Sequence, residues 1–193
     1  MMILSKNTQG EKRNMKWLIA SDIHGSAYYC RKVIERFEAE GAERMLLLGD
    51  VLYHGPRNDL PRDYLPREAA AQLNAMAARV LGVRGNCDAE IDQTVLHFPI
   101  MADYALLCEG GKTVFATHGH LFGPDCLPPM RPGEILLSGH THIPGITERN
   151  GIVCLNPGSA AIPKDGSRHS CMTLEDGVFR WIDLDSGEEF DRY

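Results

Sequence analysis

The strongest constraint on this chain is a pair of apolar runs separated by one amphipathic stretch. Trp17-Leu18-Ile19-Ala20 and Met45-Leu46-Leu47-Leu48 each read as a buried strand of a largely parallel sheet. Between them Tyr29, Val33, Ile34 and Phe37 fall on one face of a helix predicted over residues 28–40, and Gly41 ends it. Strand, helix and strand within about 35 residues form a βαβ unit with a right-handed crossover. Such a unit brings both strand ends to one edge of the sheet. The first run leads into Ser21-Asp22-Ile23-His24-Gly25, the second into Gly49-Asp50. Side chains alternate along a strand, so Asp22 and His24 are expected to point the same way. Open α/β sheets bind their ligands at this edge.

Ser26 is positioned to cap the helix. Residues 51–66 form a long loop with Pro56, Pro61 and Pro66, and its Arg57, Asp59, Arg62 and Asp63 read as solvated charges. A helix is predicted over 67–78 and a third strand over 79–84, ending in Gly85-Asn86-Cys87-Asp88. After residue 100 the pattern changes to short strands and tight turns. Gly110-Gly111, Asn150-Gly151, Asp176-Gly177 and Ser186-Gly187 are hairpin signals. The second half therefore reads as a largely antiparallel C-terminal sheet packed on the N-terminal βαβαβ half.

At 193 residues the chain suits one domain. Residues 1–14 are polar and read as a loose tail, with Met15 a candidate natural start and 15–193 a single domain. The net charge of −6 argues against a long nucleic-acid footprint. A small phosphorylated substrate is compatible with it, because bound cations would dominate the local field. The six cysteines form no Cys-x-x-Cys pair, which points to reduced thiols in the cytoplasm. No apolar stretch is long enough for a membrane span. Homo-oligomerisation is left open.

Three further polar groups close predicted strands. They are Asn86, then Thr117-His118-Gly119-His120, then Gly139-His140-Thr141-His142. Each alone reads as a turn residue or a surface or core histidine. Together, five strand ends deliver Asp, His, Asp, Asn and three His, flanked by glycine or small residues. This ordered set resembles the calcineurin-like metallophosphoesterases. The Gly-Asn-Cys-Asp turn, Thr-His-Gly-His-Leu-Phe-Gly and Asn156-Pro157-Gly158-Ser159 are similar to the small bacterial phosphodiesterases of the YfcE type.

The resemblance implies an α/β protein with an αββα sandwich. It implies two divalent metal ions, manganese favoured over zinc, iron, nickel or cobalt. Asp22, His24 and His142 would hold one ion; Asn86, His118 and His140 the other; Asp50 would bridge them. A carboxylate suits that place because it has two oxygens. The implied reaction is hydrolysis of a small phosphodiester by a metal-bound hydroxide, with Asn86 and His118 also counted as catalytic. Many relatives carry histidine after the asparagine, acting on the leaving oxygen. Here Cys87 stands there, a poorer proton donor, which favours diesters and good leaving groups; His120 is a candidate substitute. Asp88, Asn156 and Ser159 read as turn-shaping residues. Alternatives within the same fold are a scaffold of the retromer-subunit kind, a phosphomonoesterase and a nuclease.

Overall fold

The computed structural model describes residues 15–193. Eleven strands form two sheets packed face to face. Strand β1 (Trp17–Ala20) is followed by helix α1 (Ala27–Ala39) and strand β2 (Arg44–Leu47), paired parallel to β1. Ser26 caps α1, its hydroxyl accepting from the Tyr29 amide at 3.1 Å. Helix α2 (Pro66–Asn74) precedes strand β3 (Val80–Gly82), parallel to β2. Helix α2 is shorter than predicted. Asn74 ends it by binding the Val95 carbonyl and the His97 amide, both at 2.8 Å, and a 3-10 turn, Ala77–Arg79, follows.

A short helix α3 (Glu90–Gln93) leads to the hairpin of β4 (Tyr104–Glu109) and β5 (Lys112–Thr117). Strand β6 (Ile135–Leu137) pairs parallel with β5 and with β8 (Ile152–Asn156), and β7 (Gly145–Arg149) closes the second sheet antiparallel to β8. The second sheet is thus half parallel rather than largely antiparallel. Long returns over residues 118–134 and 138–151, the second including β7, permit the parallel pairings.

The last strands, β9 (Ser170–Glu175), β10 (Val178–Asp183) and β11 (Glu189–Arg192), cross back to extend the first sheet, with β9 antiparallel to β1. Five of six β9 residues are buried, the pattern of an inner strand with both faces covered. Cys171 faces the α1–α2 core, whereas Met172 joins Ile19, Leu46, Ile135, Leu137 and Trp181 between the sheets. Hairpins form at Asn150-Gly151 and Asp176-Gly177, where both residues have positive φ, as a type I′ turn requires.

The outer face of the second sheet packs on a loop where a sandwich expects helix. Leu127 and Met130 cover Leu136, Ile152 and Cys154. Pro124, Pro128, Pro129 and Pro132 keep residues 121–133 from becoming helical. The expected tail, residues 1–14, lies outside the described residues. No helix among the described residues is long and apolar enough to cross a membrane.

Candidate metal centre

The carboxyl ends of β1, β2 and β3 meet those of β5 and β6, and the seven residues singled out in the sequence lie just beyond them. Strand alternation is not what aligns Asp22 with His24. Strand β1 stops at Ala20, and both residues have left-handed backbones, φ 58° and 48°. Asp50, His140 and His142 share that conformation, with φ of 53°, 68° and 64°. Left-handed residues are uncommon outside glycine and cost on the order of 1–2 kcal/mol, less for Asp and His. Paired loops hold them there: the His24 amide binds the Asp50 carbonyl at 2.8 Å and the Asp22 amide binds the Gly49 carbonyl at 3.1 Å. Gly85 and Gly139 let the loops touch. A Cβ on Gly85 would overlap the Asp50 carboxylate, and one on Gly139 the Ser21 hydroxyl.

Three imidazoles are oriented by main-chain carbonyls. The Nδ1 atoms of His24, His118 and His142 each lie 2.7 Å from a carbonyl oxygen, of Tyr53, Leu48 and Ile162 respectively. A carbonyl only accepts, so each Nδ1 carries a proton, and each ring in its neutral form turns the lone pair of Nε2 inward. His24 Nε2 and His142 Nε2 then stand 3.3 Å apart, and Asp22 Oδ1 is 3.5 and 3.1 Å from them. Asp22 Oδ2 is satisfied by the Ser21 hydroxyl at 2.6 Å and the His140 amide at 3.1 Å, while the buried Oδ1 accepts no hydrogen bond among the described residues. Converging lone pairs and a carboxylate oxygen repel one another unless a cation sits among them.

A second group lies alongside. Asn86 Oδ1 is 3.0 Å and His140 Nδ1 3.2 Å from His118 Nε2. Asp50 stands between the groups, its Oδ2 3.7 Å from His24 Nε2 and 3.5 Å from His118 Nε2. Only this oxygen faces both groups, because Oδ1 accepts the Cys87 amide at 2.8 Å. The Asp22–His24–His142 and Asp22–Asp50–His118 sets each bring donor atoms within 4.8 Å of one another.

Burial alone would raise the Asp22 carboxyl, but the His142 and His24 imidazoles beside it outweigh that and hold the group well below the usual range. Burial would lower His24; Asp22 and Asp50 outweigh it and raise the imidazole. A cation here would compete with a proton on the raised His24 imidazole.

Cys87 borders a cavity of about 380 Å³ over the site. Burial, then the Asp50 carboxylate, pushes its thiol up to about 12, so it is neutral near pH 7. Its sulfur accepts from Asn86 Nδ2 at 3.3 Å, which turns Asn86 Oδ1 toward His118. His120 is half-buried, its ring 5.4 Å from that of His118, and its Nδ1 has no hydrogen-bond partner among the described residues. Burial, then His118 and His140, lowers it. Asp88 accepts the Asp50, Val51 and Gly85 amides at 2.7–2.8 Å, tying the β2 loop to the β3 loop. Asn156 holds the Gly139 carbonyl at 2.7 Å, and the Ser159 hydroxyl donates to the Asp22 carbonyl at 2.9 Å.

Arg57, expected to be solvated, is exposed, and with Lys164, for which the sequence carried no expectation, it lines the cavity. The proline before each was the available signal that its backbone is stiff.

The family model of the calcineurin-like phosphoesterase superfamily domain matches residues 15–176. This chain belongs to that superfamily. It is 47% identical over 170 residues to "Phosphodiesterase YfcE" of Escherichia coli K12, covering 88% of this chain and 92% of that protein. The solved structure of E. coli YfcE, described as a phosphoesterase, superposes with a TM-score of 0.89 at 44% identity, over 93% of this chain and 98% of that one. Vacuolar Protein Sorting 29 from Cryptosporidium parvum, at 21% identity and a TM-score of 0.60 over 94% of this chain and 98% of that one, shares the fold. Members of the superfamily bind divalent metal, and the donor set described above suits one.

Proposed function

We propose that this chain is a dimetal phosphodiesterase of the cytoplasm. Asp22, His24 and His142 would hold one divalent ion and Asn86, His118 and His140 the other, with Asp50, whose Oδ2 lies between the two donor groups, shared by both. The observation that carries this reading is the buried Asp22 Oδ1, without a hydrogen bond and facing two inward imidazole nitrogens. A donor set of nitrogen and oxygen fits manganese, which the family resemblance favours. The identity to a phosphodiesterase supports the reaction class, and six free cysteines support the compartment. A scaffold would have little reason to keep seven donors in mutual repulsion.

The ions, when bound, supply Lewis-acid polarisation of the phosphoryl oxygens and acidify a bound water. The protein orients them. Three carbonyl-anchored imidazoles fix the donors, and the Cys87 sulfur fixes the Asn86 amide. Bis(4-nitrophenyl) phosphate should be turned over in the presence of manganese, and faster than 4-nitrophenyl phosphate. No release above the uncatalysed rate with manganese, cobalt, nickel or zinc would remove the reading.

Cys87 also sets leaving-group preference in this reading. Cys87→His should place a proton donor near the leaving oxygen. General-acid help is worth 10²–10⁴-fold when well placed, and a grafted ring achieves roughly tenfold. Cys87→His also frees the Asn86 amide, which lowers both rates alike. The discriminating quantity is therefore the phenyl-to-nitrophenyl rate ratio, expected to rise about tenfold. An unchanged ratio would show that Cys87 only orients Asn86.

A further inference from the structure

The cavity over the metal centre has a floor of proposed ligands, Asp50, Asn86, His140 and His142, and a wall carrying Arg57 and Lys164. Neither cation forms an ion pair among the described residues. Both side chains are exposed, on loops whose backbone is held. Arg57 follows Pro56 and Lys164 follows Pro163, so the preceding backbone is stiff. The Lys164 amide binds the carbonyl of His142 at 3.3 Å, and its carbonyl accepts the Ser167 hydroxyl at 2.7 Å. On the other side Asn58 Nδ2 binds the His54 carbonyl at 2.8 Å, closing the loop that carries Arg57. A Cβ on Gly55 would come within 3.0 Å of Cys87 Sγ, so this loop lies against the floor.

The charges on the wall exceed what a simple diester needs. If two divalent ions occupy the floor, as the proposed function requires, Asp22 and Asp50 cancel half of their charge. A diester monoanion together with an ionised water cancels the rest. Arg57 and Lys164 then face the cavity with no counter-charge. The chain as a whole is acidic at −6, so a more negative substrate needs local cations to approach. We propose that Arg57 and Lys164 form an anion clamp that selects phosphodiesters carrying a second, dianionic group such as a terminal phosphate. The fork of Arg57 suits two phosphate oxygens, and Lys164 adds a point charge.

A matched pair of esters tests this. Thymidine 5′-(4-nitrophenyl phosphate) and its 3′-phosphorylated form share the scissile bond and leaving group and differ by one dianion. In wild type with manganese, kcat/KM should favour the 3′-phosphorylated ester about tenfold or more, through KM. Arg57→Ala and Lys164→Ala should each shrink that ratio, and the double variant should bring it near one. Arg57→Lys should keep part of it, and high salt should erode it. A ratio near one in wild type, or one the double variant leaves intact, overturns the clamp. Calorimetric binding of thymidine 3′,5′-bisphosphate against thymidine 5′-monophosphate repeats the comparison without turnover. An affinity difference lost in the double variant, with no ester hydrolysed, would keep the clamp and refute the phosphodiesterase reading.

Discussion

Protein stripped by a strong chelator is expected to lose turnover of activated aryl phosphodiesters, and manganese is expected to restore it. The reason lies in the donors. His24 Nε2, His142 Nε2 and Asp22 Oδ1 converge within 3.5 Å, a donor set suited to a divalent ion that would acidify a bound water. The same convergence makes the metal a structural element. An ion that binds only the folded chain, at about 100 times its Kd, adds about 2.7 kcal/mol of stability. For a chain of this size that raises Tm by roughly 5–10 °C, a readout independent of any substrate. Full activity with no metal detectable by elemental analysis would refute the mechanism, and an unmoved Tm would separate these residues from a metal site.

Asp50→Asn should be the most damaging substitution among the proposed ligands. Asp50 Oδ1 accepts the Cys87 amide at 2.8 Å, and an asparagine keeps that bond by placing its amide oxygen there. Its NH₂ group then replaces Oδ2 between His24 and His118. That substitution puts a donor where a shared acceptor stood and removes a charge from both groups. The expected loss in kcat/KM is on the order of 10²–10³-fold or more, the scale of a major electrostatic group. Asn86→Ala touches one group and should cost less. A variant that keeps both ions at a near wild-type rate would show that Asp50 does not lie between them.

The elements near the βαβ unit were legible because their signals are local. Trp17–Ala20 and, after the exposed Arg44, Met45–Leu47 are apolar throughout, as strands covered on both faces must be. Asn150-Gly151 and Asp176-Gly177 announce turns that need two positive φ values. Placement of β9 was not legible. Ser170–Glu175 reads as one more strand after hairpins, and nothing local says that it pairs with β1 across 150 residues of chain. The loop over the second sheet was equally hidden: its four prolines exclude helix but do not say what they cover.

For the site itself, the sequence determined the chemistry. Residue types at strand ends, with Gly85 and Gly139 beside them, define a hard nitrogen and oxygen donor set. Side-chain identity is carried by the chain, and a βαβ crossover has one hand. Tertiary structure decided the geometry. Asp22 and His24 converge through left-handed loops rather than strand alternation, because the β2 loop bonds their backbone. It decided that one oxygen of Asp50 faces both groups, because the Cys87 amide occupies the other. It also brought Arg57 and Lys164 to one cavity from positions 107 residues apart. Long-range contact between loops is a property of the folded backbone, and no local propensity encodes it.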